Sequence, residues 1–240
     1  MTGKDLPPGS AFSGDDGSAD TRLHELMTGY TTGTVSLSEV VARLAEVRVL
    51  VPVLASLDKE GVTEDGHVYD KEASAGIVAL EAPDGRKALP VFSSVASMNR
   101  WRTDARPVPV DAVRAALSAV SEDWALLIVD PGSDNSVLVP RPAVWAIAQQ
   151  KKWEPAVLSD KTVHSDITAD IVERVSPIEH IVRVGTEPGR SAEVAVTLGI
   201  NPGLSRAQLN EVLQHVNAAL AASTLVSERV DSLELRVGRA

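Results

Sequence analysis

Apolar positions follow helical spacing after two serine-containing segments, one in each half of the chain. Ser36 and Glu39 match a capping box, in which each side chain bonds a backbone N–H of the other residue where a helix begins. Ser205 and Gln208 repeat this arrangement ahead of apolar residues that are three and four positions apart. The pattern therefore predicts a capped amphipathic helix in each half.

Short β-branched runs, joined in pairs by turns rich in Pro, Asp and Gly, accompany the first of these helices. The predicted strands of this half are residues 47–54, 75–80, 87–92, 125–129 and 137–139. Further helices are predicted after a cap at Ser94, over residues 113–120 and from Pro142 onward. The strict strand–helix–strand alternation of a doubly wound fold is missing. We therefore expect an α+β domain in which helices back a mainly antiparallel or mixed sheet.

The second half predicts a smaller domain of its own. A polar, Pro-containing stretch at residues 151–160 indicates a linker. The pattern then predicts a helix, two strands, the capped helix and a final strand, at residues 167–175, 178–184, 192–198, 205–220 and 230–237. This order predicts a β-β-α-β domain, preceded by a helix, over residues 160–240.

The first twenty residues differ in composition from the rest of the chain. They are rich in Gly, Ser, Pro and Asp and contain few aliphatic side chains. Such a segment buries too little apolar surface to offset the entropy of ordering it. We therefore expect residues 1–20 to form a disordered tail, and the first domain to cover residues 21–153.

Composition excludes several classes of function. The 240 residues carry a net charge of −10, and nucleic-acid binders gain affinity from basic residues, so we expect no nucleic-acid partner. The chain has no cysteine, which excludes thiol nucleophiles and thiolate metal sites and fits a reducing compartment. No signal peptide is recognisable, and no apolar run approaches the about 20 residues of a membrane span. We expect a cytoplasmic protein without a membrane partner.

No common catalytic motif is present in the sequence. The glycine-rich phosphate loops, the G-x-S-x-G nucleophile elbow and the H-E-x-x-H zinc motif are all missing. No two histidines have the three- or four-residue spacing of a helical metal site, and His164 with Asp166 is expected at the surface. We therefore predict that the protein is not an enzyme and uses no catalytic residue, metal or cofactor.

Three turns combine aspartate with glycine, arginine or proline, and a tryptophan precedes one of them. The residues concerned are Asp84, Arg86, Trp101, Arg102, Asp104, Arg106 and Asp130. If the turns meet at one end of the sheet, they form a polar rim with an aromatic platform, and Trp and Arg are enriched at interaction hot spots. The alternative is local, because turn geometry itself favours Asp and Gly. In that case Arg106 holds Asp104 or Asp130 in a structural ion pair.

Several of these segments, taken as an ordered series, resemble the SseB N-terminal domain family. The segments are RVLVPV at 48–53, PDGRKALPVFSS at 83–94, WRTDARPVPV at 101–110, LIVDPG at 127–132 and RPA at 141–143. The resemblance extends over about residues 22–153 and is greatest to members from high-GC Gram-positive bacteria. It implies a largely uncharacterised family, named for an enhanced-serine-sensitivity phenotype, without established catalytic residues.

Two functions follow as hypotheses from the sequence. The first is a non-enzymatic cytoplasmic protein that binds a protein partner through the cluster of Arg, Trp and Asp turns. The second is binding of a small anionic ligand, whose carboxylate or phosphate Arg102 and Arg106 hold through bidentate hydrogen bonds.

Overall fold

A computed structural model of the chain describes residues 12, 14–56, 61–62, 68–69, 74–82 and 84–239. The chain divides into two compact units, Met1–Lys152 and Trp153–Ala240. Each unit combines helices with a sheet, so the predicted α+β class is confirmed. Within the described ranges, no helix has both the length and the apolar character needed to cross a membrane.

The first unit contains five helices and nine strands in its described part. The helices are α1 (Thr21–Thr31), α2 (Leu37–Leu44), α3 (Val95–Trp101), α4 (Ala112–Ser121) and α5 (Arg141–Ala148). The first strands are β1 (Arg48–Ser56), β2 (Gly61–Val62), β3 (Val68–Tyr69), β4 (Ser74–Ile77) and β5 (Leu80–Glu81). The others are β6 (Lys87–Val91), β7 (Arg106–Asp111), β8 (Leu126–Val129) and β9 (Val137–Val139).

Two of the sheets in this unit are joined by one bridge. β1 lies between β4 and β7 and is antiparallel to both. The other sheet has the order β5-β6-β8-β9, with β6 and β8 parallel and the remaining pairs antiparallel. Leu50 of β1 and Phe92, just after β6, exchange two backbone hydrogen bonds of 2.8 and 2.9 Å. The predicted mixed sheet is therefore confirmed; β2 and β3 pair separately.

Helices pack on both faces of β1, because its side chains alternate between the faces. Leu50 points toward a buried cluster with Phe92 and Met98, the latter from α3. Val51 points to the opposite face, where it lies with Ala115 of α4. The sequence predicts helices that back the sheet on one side, and the structure instead has helices on both faces of β1.

The predicted helix over residues 113–120 is present as α4. Its buried face consists of alanines. The buried side chains are Ala112, Ala115, Ala116 and Ala119. Leu117 is 48% exposed. Alanine lets the helix backbone approach the sheet closely, and this places the larger apolar side chain of Leu117 outside.

Residues 14–20 belong to the first unit, so the prediction of a disordered tail is wrong for them. Arg48 binds this segment, donating from Nε to Asp15 Oδ2 over 2.5 Å and from Nη2 to the Ser18 carbonyl over 2.7 Å. Asp20 accepts a 2.8 Å hydrogen bond from the Leu23 N–H and caps α1. Arg48, the partner of Asp15, lies 33 residues further along the chain. The composition of the segment alone does not reveal this ion pair. The rest of the predicted tail lies outside the described residues.

The second unit contains three helices and three strands in its described part. They are α6 (Ser165–Val175), β10 (Ile181–Pro188), β11 (Val194–Ile200), α7 (Arg206–Ala221), α8 (Thr224–Arg229) and β12 (Leu233–Arg239). β11 lies in the centre, antiparallel to β10 and parallel to β12. The predicted β-β-α-β order after a helix is therefore confirmed, with α8 as an additional element.

The second unit begins earlier than the predicted residue 160. Ala156, inside the predicted linker, is fully buried in the core of this unit, and Val157 pairs with Val163 in an isolated bridge. The unit boundary lies before Trp153. Polar neighbours in the sequence hide these few buried contacts.

Candidate functional site

The structure does not bring the three predicted turns to one end of the sheet. The turn with Asp84 and Arg86 precedes β6, whereas Asp130 directly follows β8. Because β6 and β8 are parallel and in register, the start of β6 and the end of β8 lie at opposite ends of the sheet. The expectation of a common polar rim is therefore wrong for these two turns. Pro83, the first residue of its predicted turn, lies outside the described residues.

Asp130 is a buried structural residue, with 4% of its surface exposed. Ser93 donates its backbone N–H to Oδ1 over 2.8 Å and its hydroxyl to Oδ2 over 2.6 Å. The backbone of Asp130 has a φ of +48°, which Asp adopts more readily than most residues other than glycine. Its carboxylate ties the end of β6 to the turn after β8 and does not face a surface ligand.

The arginines of the other two turns are each bound by an aspartate two residues away. Arg102 donates to both carboxylate oxygens of Asp104, over 2.9 and 2.6 Å. This hydrogen bonding lowers the pKa of Asp104. Arg86 donates its backbone N–H to Asp84 over 3.0 Å and its Nε over 2.7 Å, and these bonds lower the pKa of Asp84. The expectation that Arg106 holds Asp104 or Asp130 is wrong: within the described part of the chain, Asp104 pairs with Arg102, Asp130 binds Ser93, and no ion pair joins either carboxylate to Arg106.

Trp101 and Arg106 lie on either side of the connection between α3 and β7. The Trp101 ring packs on Phe92, with ring centroids 5.2 Å apart and planes tilted by 39°. Trp101 is thus fixed by the core cluster instead of standing free as a platform. Arg106 is exposed and begins β7 opposite Val53.

An apolar groove lies between α4 and the strands β1 and β7. It has a volume of about 340 Å³, and its lining consists of Val51, Val53, Leu89, Val108, Val110, Arg114, Ala115 and Ser118. We call it the α4–β7 groove. Val51 in its floor is only 6% exposed, whereas Val108 in its outer wall is 41% exposed. Arg114 is the charged residue of the lining.

A second hollow continues the groove over the outer side of α4. Its volume is also about 340 Å³, and it is lined by Arg114, Leu117, Ser118, Ser121, Glu122 and Trp124. It shares Arg114 and Ser118 with the α4–β7 groove. The two hollows therefore form one surface, to which Leu117 contributes an apolar side chain that is 48% exposed.

These apolar residues are not among the site residues predicted from the sequence. One feature of the sequence could have identified them: α4 carries apolar residues on two faces, the alanine face and the face with Leu117. α4 packs on α5 as well as on the sheet, and Leu117 still remains exposed, so its side chain is available to contact another molecule.

The free edge of β7 does not accept an additional strand between Pro107 and Pro109. Leu50 directs its N–H and C=O toward Phe92, so the opposed pair of Leu50 and Pro109 shares no hydrogen bond. The backbone groups of Pro109, and of Pro107 two residues earlier, therefore point away from β1, toward the free edge. Neither has an N–H to donate, and proline at such positions prevents pairing with another strand.

His164 lies beside Asp166 in the second unit, where Arg229 shares the carboxylate. The His164 Nδ1 is 2.5 Å from Asp166 Oδ1, and the Arg229 Nη1 is 2.5 Å from Oδ2. Both His164 and Asp166 are partly exposed. Among the residues that the structure describes, no group of His, Asp and Glu is arranged to hold a metal ion.

Comparison with known proteins agrees with the segments singled out in the sequence. Residues 23–146 match the family described as the SseB protein N-terminal domain. This range lies within the first unit and includes β1, β7 and α4, which form the groove. Searches of curated proteins and of solved structures gave no match. The chain belongs to the SseB family.

Proposed function

We propose that this SseB-family protein binds another protein through the α4–β7 groove and the adjoining hollow. The observation that carries the proposal is the exposure of Leu117 and Val108 on one surface with a concave apolar floor. Contiguous exposed apolar surface costs solubility and is typical of interaction sites. The role is one of recognition and needs no chemical transformation.

The chemistry of the surface indicates what kind of segment fits. Apolar side chains of the partner fill the space over Val51 and Val108, while a carboxylate pairs with Arg114. Since prolines close the edge of β7, the bound segment does not pair with that strand. An amphipathic helix, which presents apolar side chains three and four residues apart, meets these requirements.

The alternative of a small anionic ligand at the turns has weaker support. Asp104 already accepts hydrogen bonds from both Nε and Nη2 of Arg102, and an anion would have to displace it. Arg86 donates its Nε to Asp84 and is therefore also engaged by a carboxylate. Among the described residues, Arg106 is the one of these three arginines that makes no hydrogen bond to an aspartate. A single exposed arginine makes a weak anion site.

The place of action is part of the same proposal. We propose that the protein works in the cytoplasm of a high-GC Gram-positive bacterium. The support is the absence of cysteine and the resemblance of residues 48–53, 83–94 and 101–110 to members from those bacteria.

The test is affinity capture of partners by the native chain and by L117K. A charged side chain in place of Leu117 disrupts apolar contacts, and loss of a hot-spot contact weakens binding by about 30-fold or more. L138K is the matched control, because Leu138 is 44% exposed and does not line either hollow. We expect a partner that L138K retains and L117K loses.

The rival sites are tested in the same experiment. W101A and R106A should retain the partner, since neither residue lines the two hollows. If L117K kept every partner, the groove would not be the binding surface. If the native chain and L138K captured no partner in common, the proposed interaction role itself would be wrong.

A further inference from the structure

The outer edge of β12 carries no proline, in contrast to the free edge of β7. β12 pairs with β11 on one side, and no strand of the described chain pairs with its other side. The strand runs from Leu233 to Arg239 without a proline. An edge of this length with unpaired N–H and C=O groups is a template for pairing with another chain.

The hydrogen-bond pattern identifies which residues face this edge. The Val194 N–H donates to the Ser232 carbonyl, and Val194 is in register with Leu233. In a parallel pair this places the backbone groups of Ser232, Glu234 and Arg236 toward β11. The alternate residues Leu233, Leu235 and Val237 therefore direct their N–H and C=O groups outward.

We propose that β12 pairs with β12 of a second copy of this chain, antiparallel and centred on Leu235. In that register Leu235 faces its own counterpart, and Leu233 faces Val237 of the second copy. Each of these pairs exchanges two N–H···O bonds, because these residues have outward backbone groups. The two sheets then continue into one across a twofold axis, which makes the interface self-complementary.

Charge complementarity supports this register. Glu234 lies opposite Arg236 of the second copy, in the closely spaced positions between the hydrogen-bonded pairs, where side chains approach most closely. Within one copy Arg236 already contacts Glu187 and Glu234. Pairing extends this ladder of alternating charges across the new interface. A shift by one residue would place Glu234 opposite Val237 or Leu235 and remove the match.

The apolar residues of β12 support the same arrangement. Leu233 and Leu235 pack partly on the core of the second unit, and Val237, on the same side of the strand, is 47% exposed. In the proposed register, Leu233 of the second copy lies beside Val237 and covers it. The pairing therefore satisfies backbone groups and shields an exposed apolar side chain together.

The experiment is light scattering of the full chain after size separation, at concentrations from about 1 μM to about 1 mM, a range that covers weak and moderate association. The native chain is expected to form a dimer. V237K places a charge opposite Leu233 of the second copy, and V237P removes an outward N–H without removing a bond to β11. Each should weaken association by more than about tenfold. V182K is the matched control, since Val182 is 57% exposed on β10 at the other edge of the sheet.

Every result of this experiment decides the proposal. A dimer of the native chain and of V182K, with monomeric V237K and V237P of unchanged thermal melting, supports it. If V237P does not fold, V237K decides alone. A native chain that stays monomeric up to about 1 mM, a dimer that survives both Val237 variants, or a dimer that V182K also abolishes would overturn it.

Discussion

Asp15 and Arg48, 33 residues apart, form a two-point ion pair that fixes the N-terminal segment to the start of β1. The Asp15 carboxylate accepts from Nε over 2.5 Å and from Nη2 over 2.8 Å. The Nη1 of Arg48 donates to the Ser93 carbonyl over 2.6 Å. Since Ser93 also binds Asp130, one guanidinium connects the N-terminal segment to the turn network of the sheet.

Replacing Arg48 tests this connection. R48A removes the partner of the Asp15 carboxylate, whose side chain is 16% exposed, and should lower the free energy of unfolding by about 1–3 kcal/mol. R22A removes an arginine whose ion pair with Glu25 is well exposed, and it should change stability by less than about 0.5 kcal/mol. Chemical denaturation followed by circular dichroism measures both. Equal effects of R48A and R22A would contradict the connection.

Acid should weaken the same segment. Hydrogen bonds from Arg48 and from Arg43 lower the pKa of Asp15 and of Asp20, respectively. A carboxylate whose pKa is lower in the folded state stabilises the fold at pH values above its unfolded-state pKa of about 3.9. This stabilisation is lost as the pH falls through the folded-state pKa. D20N keeps a side-chain oxygen to cap α1 but loses the charge. The stability difference between the native chain and D20N should therefore be largest near neutral pH and shrink below about pH 4.

Gly17 should not tolerate a side chain. Its φ is +78°, and a Cβ there would lie 2.6 Å from Val95 Cγ2. G17A should lower stability by about 2 kcal/mol or more, through both strain and overlap. Gly132 has a φ of +79° and open space around its Cβ position, so G132A should cost only the backbone strain of about 1–2 kcal/mol. The variant V95A should restore part of the stability of G17A and none of that of G132A.

Glu234 should titrate in an unusually acidic range. The hydroxyl of Ser191 and the backbone N–H groups of Arg190 and Ser191 bind its carboxylate and lower its pKa to about 2. Carbon-13 NMR of the side-chain carboxyl measures this value directly. S191A should raise the pKa of Glu234 toward its usual range. A native midpoint near the ordinary glutamate value would show that the turn at Arg190 does not bind the carboxylate.

The turn aspartates should separate by their effect on stability. D130A leaves the Ser93 N–H and hydroxyl buried without an acceptor and should cost about 2–3 kcal/mol. D104A removes an exposed pair with Arg102 and should cost less than about 1 kcal/mol. Thermal denaturation distinguishes them. A large loss with D104A would assign a structural role to the connection between α3 and β7.

Local features of the fold are predictable because their partners are close in sequence. Both capping boxes form, with Ser36 accepting from the Glu39 N–H and Ser205 from the Gln208 N–H. The helix α8 is not predicted, because its six residues are too few to show a period. The sequence also does not predict that Asp15 is ordered, because its contact with Arg48 forms only in the tertiary structure.

The site is less predictable than the fold. The turns with Asp84 and Asp130 look alike in sequence, and only the parallel pairing of β6 with β8 sends them to opposite ends of the sheet. Leu117 looks like a core residue because it has helical spacing with Val113 and Val120. Helical periodicity identifies apolar faces but does not say which of two faces meets the sheet.

The prolines of β7 have a consequence for how the chain behaves before it is fully folded. If α4 detaches transiently, β1 and β7 present a long apolar ribbon of valines to other molecules. Pro107 and Pro109 prevent that ribbon from growing into an intermolecular sheet through its outer side. We therefore expect P107V/P109V, a change that leaves the groove intact, to precipitate during refolding where the native chain returns to solution.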